Sequence, residues 1–318
     1  MAARSLRGIF AVYKPPAVNW RSVRHAVETG LVHDLNASEC PLPHDQIRFL
    51  PTTSQGISGT ETNLTVAQLP ALANHPRVRG PKFVGLRIGA GHRLDWRSSG
   101  VFVLAVGSGN KQLSYLQDCH LTKEYTVHGS FGTATEDFSD TGRLIEKTTY
   151  DHITLDRLER IIAVIQGSHQ KALITYSGID LKSQAAYELA CRGMLRPLHK
   201  SPPIITGIRC SQFSLPNFTL EVQCVHETQQ YLRKIIHEIG LELKSSAVCT
   251  SVRRTRDGVF TLDDALIRTD WKLQQISSAV QRSQPRVAAA LREDSWRHTA
   301  LSGTAVPERC PVPTEAEP

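Results

Sequence analysis

The sequence predicts an α+β fold with a mixed, mainly antiparallel sheet flanked by helices and loops, on three observations. Strand-like and helix-like segments interleave irregularly instead of forming regular βαβ units. The apolar run Val101-Phe102-Val103-Leu104-Ala105-Val106 follows Gly100 and is too short for a helix, so it reads as a buried strand. A chain of 318 residues, 40% hydrophobic and 21% charged, can bury a sizeable core.

Residues 1–8 form a short basic N-terminus. Residues 9–13 alternate as a strand, which Lys14-Pro15-Pro16 ends. Residues 22–29 read as a short helix. From 31 to 81, Pro41, Pro43, Pro51, Pro70, Pro76 and Pro81 punctuate the chain and residues 52–60 are nearly apolar-free, which predicts an insertion with a mobile polar tip. A helix over 111–121, an alternating strand over 124–131 and a turn-rich stretch over 132–142 follow. Leu158, Ile161, Ile162 and Ile165 share one face of a helix that Gly167 is expected to stop. A second helix covers 184–195, and strand pieces over 213–225 break at Pro216-Asn217. Residues 228–243 are helical with Leu232, Ile235, Ile236 and Ile239 inward. Residues 252–261 form a basic strand-turn, and 262–266 open a final short helix. The main domain thus spans 9–268, and 269–318 hold a polar helical segment and a proline-rich, acidic tail that reads as disordered.

A formal net charge of +7 and a pI of about 9.1 favour a polyanionic partner, nucleic acid or a phospholipid surface. Seven cysteines, odd in number and without a CxxC, argue against a disulfide framework or zinc ribbon and for a reducing compartment. Arg4, Arg7, Lys14, Arg21 and Arg24 precede the first acid, Glu28, a start that fits both mitochondrial import and a basic RNA-facing surface. No apolar run approaches the roughly 18 residues of a membrane span, so no integral membrane segment is expected.

Three motif readings fail. His226-Glu227-Thr228-Gln229-Gln230 lacks the second histidine of a zincin helix. Gly107-Ser108-Gly109 has Gln112 where a dinucleotide loop needs its third glycine, and Lys111 lacks the glycine spacing of a phosphate-binding lysine. What remains is the polar block 91–100 at the mouth of the apolar strand, with one acid, Asp95, between Arg93 and Arg97. A catalytic loop on a rigid strand and a turn aspartate on a basic surface both fit this block.

Several segments in one order resemble the TruB family of RNA pseudouridine synthases. Tyr13-Lys14-Pro15-Pro16 looks like its lysine-proline turn, and Arg93-Leu94-Asp95 with Ser99-Gly100 looks like its nucleophile loop. Lys123-Glu124-Tyr125 matches its lysine-x-tyrosine strand, and Phe131-Gly132 and Thr135-Glu136-Asp137 the stretch after it. Tyr176-Ser177, Tyr187-Glu188-Leu189-Ala190, Tyr231-Leu232-Arg233 and residues 252–265 follow in order. The resemblance covers about 8–268 and is similar to the mitochondrial TruB-type synthases of animals. The chain departs from the pattern at Ala90, where a histidine is usual, at Trp96, where proline is usual, and at Ala172-Leu173. His92-Arg93-Leu94-Asp95 is also similar to the RluA-type motif.

The resemblance implies the pseudouridine synthase fold without a full PUA domain after 268. It implies Asp95 as nucleophile, Arg233 as its ionic partner and Tyr125 as the ring that stacks on a flipped uracil and handles a proton. Tyr231 and His92 would line the pocket. By their charge, Lys14, Arg21, Arg24, Arg93, Lys123, Arg253, Arg254 and Arg256 are candidates for RNA contacts, and residues 253–256 fit a solvated strand edge equally well. This isomerisation needs no metal or organic cofactor. The implied substrate is RNA in the mitochondrial matrix, mRNA first, with tRNA or rRNA as alternatives. RNA-granule or ribosome-assembly proteins are the implied further partners. The competing reading is a non-catalytic RNA-binding or ribosome-assembly factor on the same fold.

Overall fold

Alternating apolar side chains from Gly8 to Lys14 start the sheet on which the remaining elements assemble. The computed structural model describes residues 6–38, 45–56, 59–70, 78, 80–179, 182–197 and 201–301. In chain order the elements are β1 (Gly8–Lys14), α1 (Trp20–Ser38), β2 (Asp45–Gly56), β3 (Gly59–Pro70), β4 (Ile88–Ala90), β5 (Ser99–Val106), α2 (Gly109–Asp118) and β6 (Lys123–Phe131). They continue with β7 (Thr133–Thr135), β8 (Leu144–Lys147), α3 (Leu155–Ser177), α4 (Gln184–Cys191), β9 (Ile204–Ser214), β10 (Asn217–Val225) and α5 (Gln229–Glu242). β11 (Ala247–Asp257), β12 (Phe260–Thr261), β13 (Ala265–Leu266) and α6 (Leu273–Leu301) close the order.

The main sheet runs β13-β1-β5-β11-β6-β10-β9, with β4 on β5 and β12 on β11. β1–β5, β11–β6, β6–β10 and β10–β9 are antiparallel, whereas β5–β11 and β1–β13 are parallel, so the sheet is mixed and mainly antiparallel as expected. β5 is buried along Gly100–Val106, as an apolar run in the middle of a sheet must be. β6 instead alternates, turning Lys123, Tyr125, Val127, Gly129 and Phe131 inward. Two of those five residues, Lys123 and Tyr125, carry polar groups into the core and therefore need partners there.

Both faces of the sheet are covered. On one, α1, α3 and α5 pack Val23, Val27, Leu31, Leu158, Ile162, Ile235, Ile236 and Ile239 against Phe10, Val12, Phe102, Leu104, Val127 and Phe218. On the other, Leu113 and Leu116 of α2 and Val287 and Ala290 of α6 cover Ile9, Ala11, Val101 and Val103. Each Val, Leu, Ile or Phe among them stabilises the fold by roughly 1.5–3 kcal/mol relative to exposure.

Several boundaries differ from expectation. The helix expected over 22–29 runs from Trp20 to Ser38, because Val23, Val27, Leu31 and Leu35 continue one four-residue stripe; the expected insertion loses its first turns to this helix. Most of its expected polar tip belongs to the β2–β3 hairpin, in register from Asp45↔Pro70 to Gly56↔Gly59, while residues 57–58 lie outside the described ones. Backbone pairing needs no apolar side chains, so polarity concealed the strands.

α3 passes through Gly167 to Ser177 and ends at Gly178, which is left-handed at φ 63°. An interior glycine costs only about 1 kcal/mol, too little to end a packed helix, whereas a left-handed glycine closes one. The strand expected from 213 starts at Ile204, and Leu215-Pro216 is the hairpin turn. Residues 262–266 form a 3₁₀ turn and the short β13 instead of opening a helix. The expected tail over 306–318 and residues 1–5 lie outside the described residues. Among the described residues, no helix is long and apolar enough to cross a membrane.

Candidate active site

Asp95 sits on the loop that joins β4 to β5. Gly91 N–H donates to Val103 O (2.9 Å) at the loop's entry, and Leu94, fully buried, pins its middle to the core. Ser98 N–H donates to Asp95 Oδ1 (2.7 Å), closing a local turn, and Arg233 Nη1 donates to Oδ2 (2.6 Å). The side chain of Gln229 accepts from Asp95 N–H (3.3 Å) and donates to Arg93 O (3.4 Å), tying the start of α5 to the loop. Lys14, at the end of β1, donates to Ser98 O (2.5 Å), Pro15 O (3.0 Å) and Trp96 O (3.4 Å).

The loop's exit demands glycine. Gly100 has φ +110° and lies beside Arg254 of β11, where an added Cβ would stand 2.1 Å from the Arg254 carbonyl oxygen. Parallel pairing of β5 with β11 at this point fixes where the loop ends.

Burial pushes the Asp95 carboxyl up, but the hydrogen bonds from Ser98 and Arg233 and the Arg233 charge outweigh it, holding the group below the ordinary carboxylate value. The side chain keeps 28% exposure, so an ionised oxygen pair is oriented from behind and open in front. Burial lowers Lys14 to about 8, the Asp95 charge opposing and the Arg254 charge assisting.

Beside the loop lies a second cluster. Tyr125, 1% exposed, donates its hydroxyl to Glu227 Oε1 (2.5 Å). Lys123 Nζ donates to both Glu227 oxygens (3.2 and 3.3 Å), and the Glu227 side chain is itself 1% exposed. Burial raises the Tyr125 hydroxyl well above its ordinary value, with Arg254 opposing and Glu227 assisting. Arg254 is fully buried with its guanidinium 5.8 Å from the Tyr125 ring centre, and it donates to Asp257 Oδ2 (2.8 Å) and His92 O (2.8 Å). His92 Nδ1 stands 3.5 Å from Asp257 Oδ1, so this cluster also braces the start of the Asp95 loop.

The structure brings Asp95, Arg233, Lys14, His92 and Arg254 together and corrects several expected RNA contacts. Lys14, Lys123 and Arg254 are buried and engaged with backbone carbonyls, Glu227 and Asp257; a charge held this way brings no free ammonium or guanidinium to a phosphate. Arg256 is bound to Glu124 (2.7 Å) and to Thr122. The Tyr231 hydroxyl meets His169 Nε2 on α3 (3.3 Å). The Tyr125 ring is covered in this state and its hydroxyl proton is already committed.

Other cations, exposed at Arg21, Arg93 and Arg253 and half-buried at Arg24, gather elsewhere. Arg93, Arg21 and Arg24 place their guanidinium carbons 5.0, 5.4 and 5.9 Å from the Trp20 ring centre, and Arg253 lies 5.7 Å from that of Tyr13. Trp20, Gln229 and Glu227 escaped the sequence reading. An aromatic beside two arginines at the head of α1 was the available signal for the first. The other two lie in the rejected His226–Gln230 stretch.

A cavity of about 510 Å³ opens beside Tyr125, lined by Gln166, Ile208, Val222 and Gln223 among others, and does not reach Asp95. Under the Asp95 loop, Ser98, Arg233 and Cys249 line a crevice of about 20 Å³, far too small for a base. A base therefore meets Asp95 from its open outer side.

Comparison with known proteins finds relatives along most of the chain. The profile for the TruB family pseudouridylate synthase (N terminal domain) matches residues 81–230. The chain is 58% identical over 289 residues to the Mus musculus protein named pseudouridylate synthase TRUB2, mitochondrial, covering 91% of this chain and 87% of that one. It is 56% identical over 306 residues to the Xenopus tropicalis protein of the same name, covering 96% and 94%. Human pseudouridylate synthase TRUB1 is 32% identical over 208 residues, covering 65% of this chain and 58% of that one. With the mixed sheet, this near full-length similarity identifies the chain as a member of the TruB family, a pseudouridine synthase.

Proposed function

We propose that the protein converts uridines to pseudouridine in RNA of the mitochondrial matrix, mRNA first and tRNA second, with Asp95 as nucleophile. The observation that carries this reading is the Asp95 carboxylate, held below its ordinary pKa between Ser98 and Arg233 and open on one side. A nucleophilic carboxylate must be ionised and aimed, and this loop supplies both. The target uridine leaves its stack, at a cost of roughly a few kcal/mol, and its C1′ approaches the open oxygen edge. Arg233 compensates the carboxylate before attack and again when it is released. Lys14, through the Ser98 and Trp96 carbonyls, keeps the loop from following the substrate.

The RNA chain flanking the target runs over the Trp20 cluster. Three guanidinium groups lie around one indole, none in an ion pair with a carboxylate among the described residues, and repel one another until a phosphate backbone arrives. The relatives named mitochondrial support the compartment.

The test is to map pseudouridine across mitochondrial mRNA, tRNA and rRNA in cells lacking the protein and resupplied with wild type or Asp95→Ala. Sites restored by wild type and not by the variant are expected. Equal restoration by both contradicts Asp95 as nucleophile.

A further inference from the structure

The buried group that the reaction so far leaves unused is Glu227. It lies between β10 and α5, immediately before Thr228, whose hydroxyl accepts from Tyr231 N–H and caps α5. The preceding residue, His226, has φ +59°, a left-handed conformation that few residues other than glycine adopt. That turn is held by His120 Nδ1, 2.7 Å from His226 Nε2, and by Ser201 Oγ, 2.8 Å from Nδ1. The segment 226–233 thereby delivers three contacts to one place: Glu227 to Tyr125, Gln229 to the Asp95 loop and Arg233 to Asp95.

A carboxylate and an ammonium taken out of water are a poor source of stability, since desolvation offsets their attraction. Glu227 and Lys123 are nonetheless almost wholly buried, and their shared site ends on a phenol oxygen. Buried, paired groups of this kind gather at functional sites.

We propose that Glu227 is the proton acceptor behind Tyr125 in the last step of the isomerisation. This rests on the reading above and on the role that the family resemblance implies for Tyr125, whose ring, covered in this state, must be uncovered to meet the flipped base. When uracil has left C1′ through N1, turned and rejoined through C5, C5 carries one hydrogen too many. The C5–H bond breaks and its electron pair restores the ring double bond. The proton passes to Tyr125 Oη as Tyr125's own proton passes to Glu227 Oε1, and N1 takes a proton from solvent. Glu227 returns its proton to solvent, so the sum is an isomerisation. Lys123, donating to both Glu227 oxygens, supplies the counter-charge in this closed site.

The test uses the full chain and an RNA that it modifies, prepared with hydrogen or deuterium at C5 of the target uridine. Glu227→Gln retains an oxygen for the Tyr125 hydroxyl but accepts no proton. Its kcat is expected to fall about 10²–10³-fold with little change in KM, the range of a lost general base. The residual turnover is expected to become sensitive to deuterium. Tyr125→Phe, which leaves the Lys123–Glu227 pair intact, is expected to show the same isotope-sensitive loss. A wild-type rate in either variant, or a loss without isotope sensitivity in Tyr125→Phe, overturns the relay. Asp95→Ala separates the two readings. If it turns over, the assignment of the site fails. If it is inactive while Glu227→Gln is fully active, only the relay fails.

Discussion

Arg233 Nη1 lies 2.6 Å from Asp95 Oδ2 although 138 positions separate the two residues. The contact holds the Asp95 carboxyl below its ordinary value against the pull of burial. In wild type, kcat/KM is therefore expected to show no Asp95 inflection above about pH 4, the ordinary carboxylate range. Arg233→Met leaves burial with less opposition, so an acid inflection is expected to move upward, seen in a pH–rate profile. The sign for stability is the same. A carboxyl lowered by folding contributes stability above its unfolded pKa, and that contribution disappears as pH falls through the lower folded value.

Arg254 is expected to matter for folding and little for RNA affinity. Arg254→Met leaves Asp257 buried without its cation, which costs about 3–5 kcal/mol in such pairs. Asp257→Asn in the same chain is expected to recover most of that loss in denaturant unfolding. The slope of RNA affinity against salt is expected to match wild type, since Arg254 is fully buried.

The Trp20 cluster is expected to behave in the opposite way. Arg21→Gln, Arg24→Gln and Arg93→Gln should each flatten the logarithmic salt dependence of RNA binding by about 1 while leaving melting near wild type. Trp20→Ala should weaken binding at every salt concentration. Unchanged slopes in all three arginine variants remove RNA from this face.

Lys14 gives a pH signature. The folded group loses its proton near 8, while the unfolded one keeps it to about 10.5. Between these values the unfolded chain binds more protons, so stability against unfolding rises with pH in this window. Comparison of wild type with Lys14→Met by denaturant melts at pH 7.5 and pH 10 should reveal the increment in wild type alone.

Gly100→Ala is expected to damage the fold where β5 meets β11. The strained φ costs about 1–3 kcal/mol by itself, and the Arg254 carbonyl adds a clash. A lowered melting temperature in a thermal scan is the readout; an unchanged one shows that the loop exit can shift.

Much of this was legible from local pattern. The four-residue stripe of α5 marked Leu232, Ile235, Ile236 and Ile239 as inward, and all four are buried. The apolar run after Gly100 became the buried core of β5, and alternation in β6 turned Tyr125 inward. The β2–β3 hairpin and the passage of α3 through Gly167 were illegible, because backbone pairing and packing settle them and residue type hardly enters.

Charge was read least well. Lys14, Lys123, Arg254 and Glu227 look alike in sequence to any surface charge, and each is buried. By itself the sequence determined the core strands and the amphipathic helices, the mixed sheet and the family, since periodicity and motif order are carried by neighbouring residues. The tertiary structure alone decided which cations stay exposed and which are committed to carbonyls and carboxylates. It also decided that a rejected motif supplies Tyr125's partner, because desolvation and ion pairing depend on groups about a hundred positions apart, such as Glu227 and Tyr125 at a separation of 102.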